Sequence, residues 1–233
     1  MPIKVLSARA VKTAVGQLSQ EFIRTTGIAV EFDFAPVGAV EKKLSAGEAA
    51  DAVILSREAI GRLGLADRLA AAGSTILGRT SIGVGVRAGA AKPDISTQDA
   101  FKRTLLAART ISVSSPAIGG TSAVYLPKLF ARMGIAEALE PKLIRSNAGG
   151  GDVSERVARG EADIGITFIS EMLPIPGIEV VGPLPEVYGN DTTYCAAGLK
   201  GSASAADVEA FIAALTGPHA RAAWRAAGFE PAA

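Results

Sequence analysis

The chain of 233 residues has only one cysteine, Cys195, and only one histidine, His219. A single cysteine excludes an internal disulfide and a thiolate metal cluster within one chain. A single histidine excludes a multi-histidine metal site. His219 falls in the C-terminal helical segment, where a solvent-exposed side chain is expected. The sequence therefore predicts no metal site.

Long runs of one kind of residue are also missing. The net charge is +1 and no basic or acidic run occurs, which argues against nucleic acid as a partner, since phosphate binding needs a basic surface. No apolar stretch approaches the roughly 20 residues that a membrane-spanning helix needs, so no membrane insertion is expected. Aromatic residues make up 5% and hydrophobic residues 48% of the chain, which predicts a core of aliphatic side chains.

The first residues show no export signal. Met1-Pro2-Ile3-Lys4 leads directly into Val5-Leu6, without the basic start and the apolar region of about 7–15 residues that a signal peptide requires. The expected location is the cytoplasm as the sequence stands. It is the periplasm if the sequence is a trimmed mature form with an added methionine.

Apolar strand patterns alternate with helical patterns along most of the chain. Helices are predicted between the strands, including one over 57–72. Strands are predicted at 3–6, 29–34, 52–55, 82–86, 110–113, 143–144 and 164–168. This order is typical of an α/β fold with a largely parallel sheet and helices on both faces.

One segment is echoed later in the chain. Residues 44–56 and 157–170 both contain a helix end, a glycine, Glu-Ala followed by Asp, an apolar strand and a serine. One explanation is convergence, because glycine is favoured at helix ends in general. The other is that two lobes of the protein are built alike, with corresponding strands at 52–55 and 164–168.

Four turns connect a strand to a helix through small or hydroxylated residues, at 7–10, 36–39, 114–122 and 147–152. Such turns expose backbone N–H groups at the positive end of a helix dipole, which favours anions. In open α/β sheets, ligands bind beyond the carboxyl ends of the strands. The same residue types are also ordinary helix caps, so each turn has a purely structural explanation as well. No P-loop and no dinucleotide-binding glycine motif is present, and no cofactor is predicted.

Arg9 lies in the first of these turns, where a guanidinium would bind a carboxylate or phosphate through two hydrogen bonds. A solvated side chain at a helix start is the alternative. Together with the ends of the strands, the turns supply the candidate ligand-binding residues Ser7, Ala8, Arg9, Val37, Gly38, Ser115, Ala117, Gly119, Gly120, Thr121, Ser122, Asn147, Gly149, Gly150, Asp152, Thr167 and Phe168.

These motifs resemble the molybdate-binding protein family of ABC importers, which has the type II periplasmic-binding-protein fold. The resemblance covers nearly the whole chain, from 5–11 through 34–40 and 47–51 to 160–166. It implies two lobes, each a mainly parallel sheet flanked by helices. Lobe one is 1–82 plus 187–233, lobe two is 83–186, and the ligand cleft lies between them. It also implies an ABC permease as a partner if the protein is exported.

The first two turns depart from that family's pattern. The family binds a tetrahedral oxyanion with small hydroxylated residues, whereas 7–10 and 36–39 here contain one hydroxyl, from Ser7, and the added cation of Arg9. We therefore predict a solute-binding protein, for uptake or sensing, that closes on an organic di- or tricarboxylate instead of molybdate.

The alternative function is an enzyme. Some proteins that resemble this family isomerise aconitate, moving a proton across an unsaturated tricarboxylate, and a closed cleft would exclude water from such a reaction. The sequence identifies no single base. Its candidates are Asp152, Tyr188, Tyr194 and the hydroxyls of Ser7 and Ser115.

Overall fold

A computed structural model describes residues 1–62 and 67–232 of the chain. The chain divides into two compact units. The first unit is Met1–Arg79 with the segment from Thr192 onward, and the second unit is Thr80–Asp191. The family resemblance implied that the chain passes from lobe one to lobe two after residue 82 and returns to lobe one before residue 187.

Strands and helices alternate through most of both units. The strands are β1 (Ile3–Ala8), β2 (Val30–Ala35), β3 (Ala52–Ser56), β4 (Leu69–Arg87), β5 (Ile111–Ser114), β6 (Leu143–Ser146), β7 (Ile164–Phe168), β8 (Ile178–Pro183), β9 (Asp191–Leu199) and β10 (Glu230–Pro231). The helices are α1 (Lys12–Thr26), α2 (Val37–Ser45), α3 (Arg57–Arg62), α4 (Gln98–Ala107), α5 (Thr121–Arg132), α6 (Ala136–Leu139), α7 (Gly150–Ala158), α8 (Ile169–Met172), α9 (Ala205–Thr216) and α10 (Ala220–Ala226). Within the described ranges, no helix is both long and apolar enough to span a membrane.

In the first unit, β1 lies between β2 and β3 and is parallel to both, and β3 is antiparallel to β9. Every residue of β3 is buried, which explains why 52–55 are all apolar instead of alternating with polar residues. The core contains an edge-to-face pair, with the rings of Phe22 and Phe211 5.4 Å apart. These contacts hold α1 and α9 together over the sheet.

The second unit repeats this arrangement. Here β5 lies between β6 and β7 and is parallel to both, and β7 is antiparallel to the second half of β4. Strand β8 also pairs with β4. β1 thus corresponds to β5 and β3 to β7. The echo between 44–56 and 157–170 falls on corresponding strands, as expected for two units that are built alike.

The aspartate in each copy of the echo has the same structural role. Asp51 accepts a hydrogen bond from the backbone N–H of Lys4 at 2.9 Å, and Asp163 accepts one from the backbone N–H of Arg109 at 2.8 Å. Lys4 lies near the start of β1, and Arg109 lies just before β5. Each aspartate therefore joins the start of one inner strand to the start of its parallel neighbour.

The predicted helix over 57–72 is wrong in its second half. Helix α3 ends at Arg62, residues 63–66 lie outside the described residues, and 69–72 belong to β4. Ala70 of this segment lies beside Gly198 of β9. Packing against the sheet therefore outweighs the high helix propensity of the alanines in 69–72. His219 is exposed, as expected from its position near the end of the chain.

Gly165 determines how closely α7 approaches β7. A Cβ atom at 165 would lie 2.8 Å from Cγ2 of Val157 and 3.3 Å from Cγ1 of Val153. We expect Gly165→Ala to destabilise the protein by about 1–3 kcal/mol, because α7 must move away from the sheet. Denaturant unfolding measures this change.

Gly151→Ala is the matched control on α7, since a Cβ at 151 meets no atom within 4 Å. Alanine is the better helix former there, so the free energy of unfolding of this variant should rise by about 0.5–1 kcal/mol. If both variants lose the same amount of unfolding free energy, close packing at Gly165 is contradicted.

Candidate functional site

The first unit brings five of the candidate residues to one edge of its sheet. Ser7 is level with Ile54 of β3, and Ala8 is level with Ala35 of β2. The carboxyl ends of the three parallel strands therefore meet at this edge, which we call the first edge. It contains the predicted residues Ser7, Ala8, Arg9, Val37 and Gly38.

The second unit does the same with the other candidates. Ser114 is level with Ser146 of β6, and Val113 is level with Ile166 of β7. The backbone N–H of Ser115 donates to the carbonyl of Ser146 at 2.7 Å, which holds the two turns together. This second edge contains Ser115, Ala117, Gly119, Gly120, Thr121, Ser122, Asn147, Gly149, Gly150, Asp152, Thr167 and Phe168.

The helix starts at the two edges differ in their capping. In the described part of the chain, the N-cap residues Ala8, Pro36, Gly120 and Gly149 make no side-chain cap hydrogen bond. Ser56, at the end of β3, does accept a hydrogen bond from the backbone N–H of Ala59 in α3, at 3.2 Å. Backbone N–H groups at the starts without a side-chain cap need other acceptors.

Cations are concentrated at the first edge. Arg9 is half-buried in a 3-10 turn that begins directly after β1. The ammonium of Lys12 lies 5.9 Å from the ring centroid of Phe34, near the end of β2, and Arg57 follows β3 directly. Among the described residues, the first turns of α1 and α2 contain no acid, and that of α3 contains only Glu58. Positive charge therefore exceeds negative charge at these turns.

Sequence reasoning identified Arg9 but missed Lys12 and Arg57. The available signal was the position of Arg57, which follows the end of β3 as Arg9 follows the end of β1. The guanidinium of Arg57 also influences the pKa of the buried thiol of Cys195. Burial raises the pKa of that thiol, and the guanidinium offsets part of the increase.

The hydroxyl of Ser7 has an internal partner. Ser7 is fully buried, and its Oγ donates to the carbonyl of Ala8 at 3.2 Å. At the second edge, Thr167 is also fully buried, and its hydroxyl donates to Oε2 of Glu171 at 2.8 Å. These two hydroxyls stabilise the local structure of the edges.

Asp152, in the first turn of α7, is held by Arg156 at 2.8 Å. Burial raises the pKa of Asp152, but hydrogen bonds from Arg156 and Ser146, together with the positive charges of Arg156 and Arg159, lower it by more. The pKa therefore lies below its ordinary value of 3.8. A carboxylate in this state is a weak base.

The two tyrosines proposed as bases have other contacts. Tyr188 donates its hydroxyl to Oε1 of Gln98 at 3.2 Å, and its ring lies 5.5 Å from the guanidinium of Arg132. Tyr194 is 1% exposed and packs edge-to-face against Phe229 in the first unit. Both rings contribute to packing.

Glu171 is a carboxylate of the second edge that sequence reasoning missed. It lies in α8, three residues after β7 ends, and is half-buried. A methyl group at position 150 would collide with Oε2 of Glu171 and with Oγ1 of Thr167, so the carboxylate lies directly against the first residue of α7. The absence of a side chain at Gly150 is what makes this approach possible.

Comparison with known proteins agrees with the motifs read from the sequence. Residues 3–230 match the model of the family described as bacterial extracellular solute-binding protein. The chain is 32% identical over 235 residues to the aconitate isomerase of a Pseudomonas species, covering 98% of this chain and 87% of that protein. It is 26% identical to the molybdate-binding protein ModA of Escherichia coli K12, covering 97% of this chain and 88% of that protein.

A solved structure shows the same fold. The periplasmic molybdate-binding protein of Azotobacter vinelandii matches with a TM-score of 0.78 at 21% identity, covering 97% of this chain and 98% of that one. This likeness confirms the predicted α/β fold of the two-lobed periplasmic binding type. The resemblance to the molybdate-binding family is confirmed as well.

The charge of Asp152 should contribute to stability in a pH-dependent way. Because the pKa of Asp152 is lowered on folding, its ionised form stabilises the protein above pH 3.8. This contribution is lost as the pH falls through the lowered pKa of the folded protein. We expect Asp152→Asn to lower the free energy of unfolding at pH 7 by about 1 kcal/mol. The difference from wild type should close below pH 3.8.

Glu155→Gln on the same helix is the control, since Glu155 and its partner Arg159 are each 51% exposed. Exposed pairs contribute little, so this variant should unfold like wild type. If the free energy of unfolding of Asp152→Asn stays equally far below that of wild type in acid, the ion pair is not the cause of the difference.

Proposed function

Because the chain belongs to the bacterial extracellular solute-binding protein family, we propose that it binds a small organic di- or tricarboxylate. The observation that carries this proposal is the excess of positive charge at the first edge, from Arg9, Lys12 and Arg57. The helix starts at Ala8, Pro36 and Gly120 add backbone N–H groups, which are suited to the oxygens of an anion.

The cations of the first edge favour a carboxylate ligand over molybdate. Arg9, Lys12 and Arg57 place three positive charges at the starts of neighbouring helices. A planar guanidinium matches a carboxylate through two parallel hydrogen bonds. The single hydroxyl of the first two turns, that of Ser7, already donates to a carbonyl oxygen. A site built this way is better suited to several carboxylates than to one tetrahedral oxyanion with neutral donors.

A second candidate function is isomerisation of an unsaturated tricarboxylate. It is favoured by the 32% identity to an aconitate isomerase, which extends over 98% of the chain. Binding and isomerisation use the same recognition of carboxylates. They differ in whether a base of the protein removes a proton from the bound molecule.

One pair of experiments separates these functions. Calorimetric titration with trans-aconitate, citrate and molybdate tests the proposed ligand class, and saturable binding of a carboxylate but not of molybdate is expected. Proton NMR of cis- and trans-aconitate with the protein in deuterated water then detects interconversion or exchange. Binding of molybdate alone would overturn the proposal.

Arg9→Gln should weaken carboxylate binding. A hydrogen bond to a charged group contributes about 1.5–3 kcal/mol, so the dissociation constant for the bound carboxylate should rise by about tenfold or more. Titration calorimetry measures this rise directly.

Arg24→Gln is the matched control, because Arg24 lies near the end of α1 and pairs with the exposed Glu21. It leaves the charge of the first edge unchanged and should bind like wild type. If both variants lose affinity equally, the effect comes from net charge and not from Arg9.

A further inference from the structure

The second candidate function requires a base that the sequence did not identify. Moving a proton across an allylic system needs a group that removes it from one carbon and returns it to another. Carboxylates fill this role when they are held in a fixed position beside the substrate. The described part of the second edge contains two acidic side chains close to the ends of its strands, Asp152 and Glu171.

These two carboxylates are held in different ways. Asp152 is ion-paired with Arg156, and its lowered pKa makes it a weak base. Glu171 accepts a hydrogen bond from the fully buried hydroxyl of Thr167, which fixes one of its oxygens. Its carboxylate also lies against Gly150, at the start of α7. Glu171 therefore lies against two of the predicted ligand-binding positions, Gly150 and Thr167.

We infer that Glu171 is the catalytic base of a proton shift in an unsaturated tricarboxylate bound at the second edge. The inference rests on the second candidate function proposed above. Gly150 permits the close approach of the carboxylate, and Thr167 orients it. The remaining sequence-based candidates have weaker claims, since Tyr188 donates to Gln98 and Tyr194 is buried in the other unit.

The proposed step is balanced within the substrate and one side chain. The ionised carboxylate of Glu171 takes a proton from the CH2 group next to the double bond. The electron pair of that C–H bond forms a new double bond to the central carbon, and the old double bond becomes a carbanion at the far carbon. Neutral Glu171 then returns the proton to that carbon. The double bond has moved by one position, no atom is lost, and no oxidant or reductant is needed.

Glu171→Gln tests the assignment, because the amide keeps the shape of the side chain but does not accept the proton. We expect the rate of aconitate interconversion, followed by proton NMR, to fall by about 100-fold or more. The dissociation constant for trans-aconitate should stay the same or fall, since a negative charge near the ligand is removed. Exchange of the CH2 protons for deuterium should be lost with the interconversion.

Two further variants keep the result interpretable. Thr167→Val removes the orienting hydroxyl and should lower kcat with little change in the dissociation constant. It covers the case in which Glu171→Gln does not fold, which circular dichroism shows. Glu155→Gln, on the exposed face of α7, should leave the rate at the wild-type value.

The outcomes are distinct. A wild-type protein that interconverts aconitate, with Glu171→Gln retaining its rate, would place the base elsewhere and leave the isomerase function intact. A wild-type protein that binds aconitate without interconversion or exchange would overturn the catalytic role while the binding function stands. A wild-type protein that binds no carboxylate would overturn both proposals.

Discussion

The register of three parallel strands in each unit is the constraint on which the candidate site depends. Because β1 is level with β2 and β3, and β5 with β6 and β7, each set of strands ends at one edge. Asp51 and Asp163 support this register at the opposite ends of the strands, where each joins two inner strands through a backbone N–H. A slip by one residue would exchange the two buried faces of a strand such as β3 and would shift its helix start along the edge.

The two edges share this geometry but differ in charge. The first edge collects Arg9, Lys12 and Arg57 at its turns, whereas the second places the carboxylate of Glu171 against α7. The backbone arrangement explains why both edges favour anions at their helix starts. The side chains then assign different roles, with attraction of negative charge at the first edge and a held carboxylate at the second.

The sequence predicted the α/β fold and the candidate turns because both depend on local signals, namely apolar runs, glycine stops and small residues before helices. The internal echo even located the corresponding strands β3 and β7. The sequence failed over 69–72, where contact with β9 outweighs the helix propensity of alanine. It also missed Glu171, because the closeness of this residue to Gly150 arises from tertiary packing across 21 positions of the chain and leaves no mark on the local pattern. Arg57 was within reach, since it follows a buried strand as Arg9 does.

The position of Glu171 bears on the choice between the two proposed functions. A carboxylate beside an anionic ligand lowers affinity, because like charges repel strongly where water is partly excluded. At the start of α7 the same carboxylate stabilises the helix through its dipole, so Glu171 has a structural use even in a protein that only binds its ligand. An enzyme that moves a proton needs such a group beside the substrate and tolerates the weaker binding. The carboxylate of Glu171 is therefore compatible with both functions and is required by proton transfer alone, and the cations of the first edge likewise fit either function.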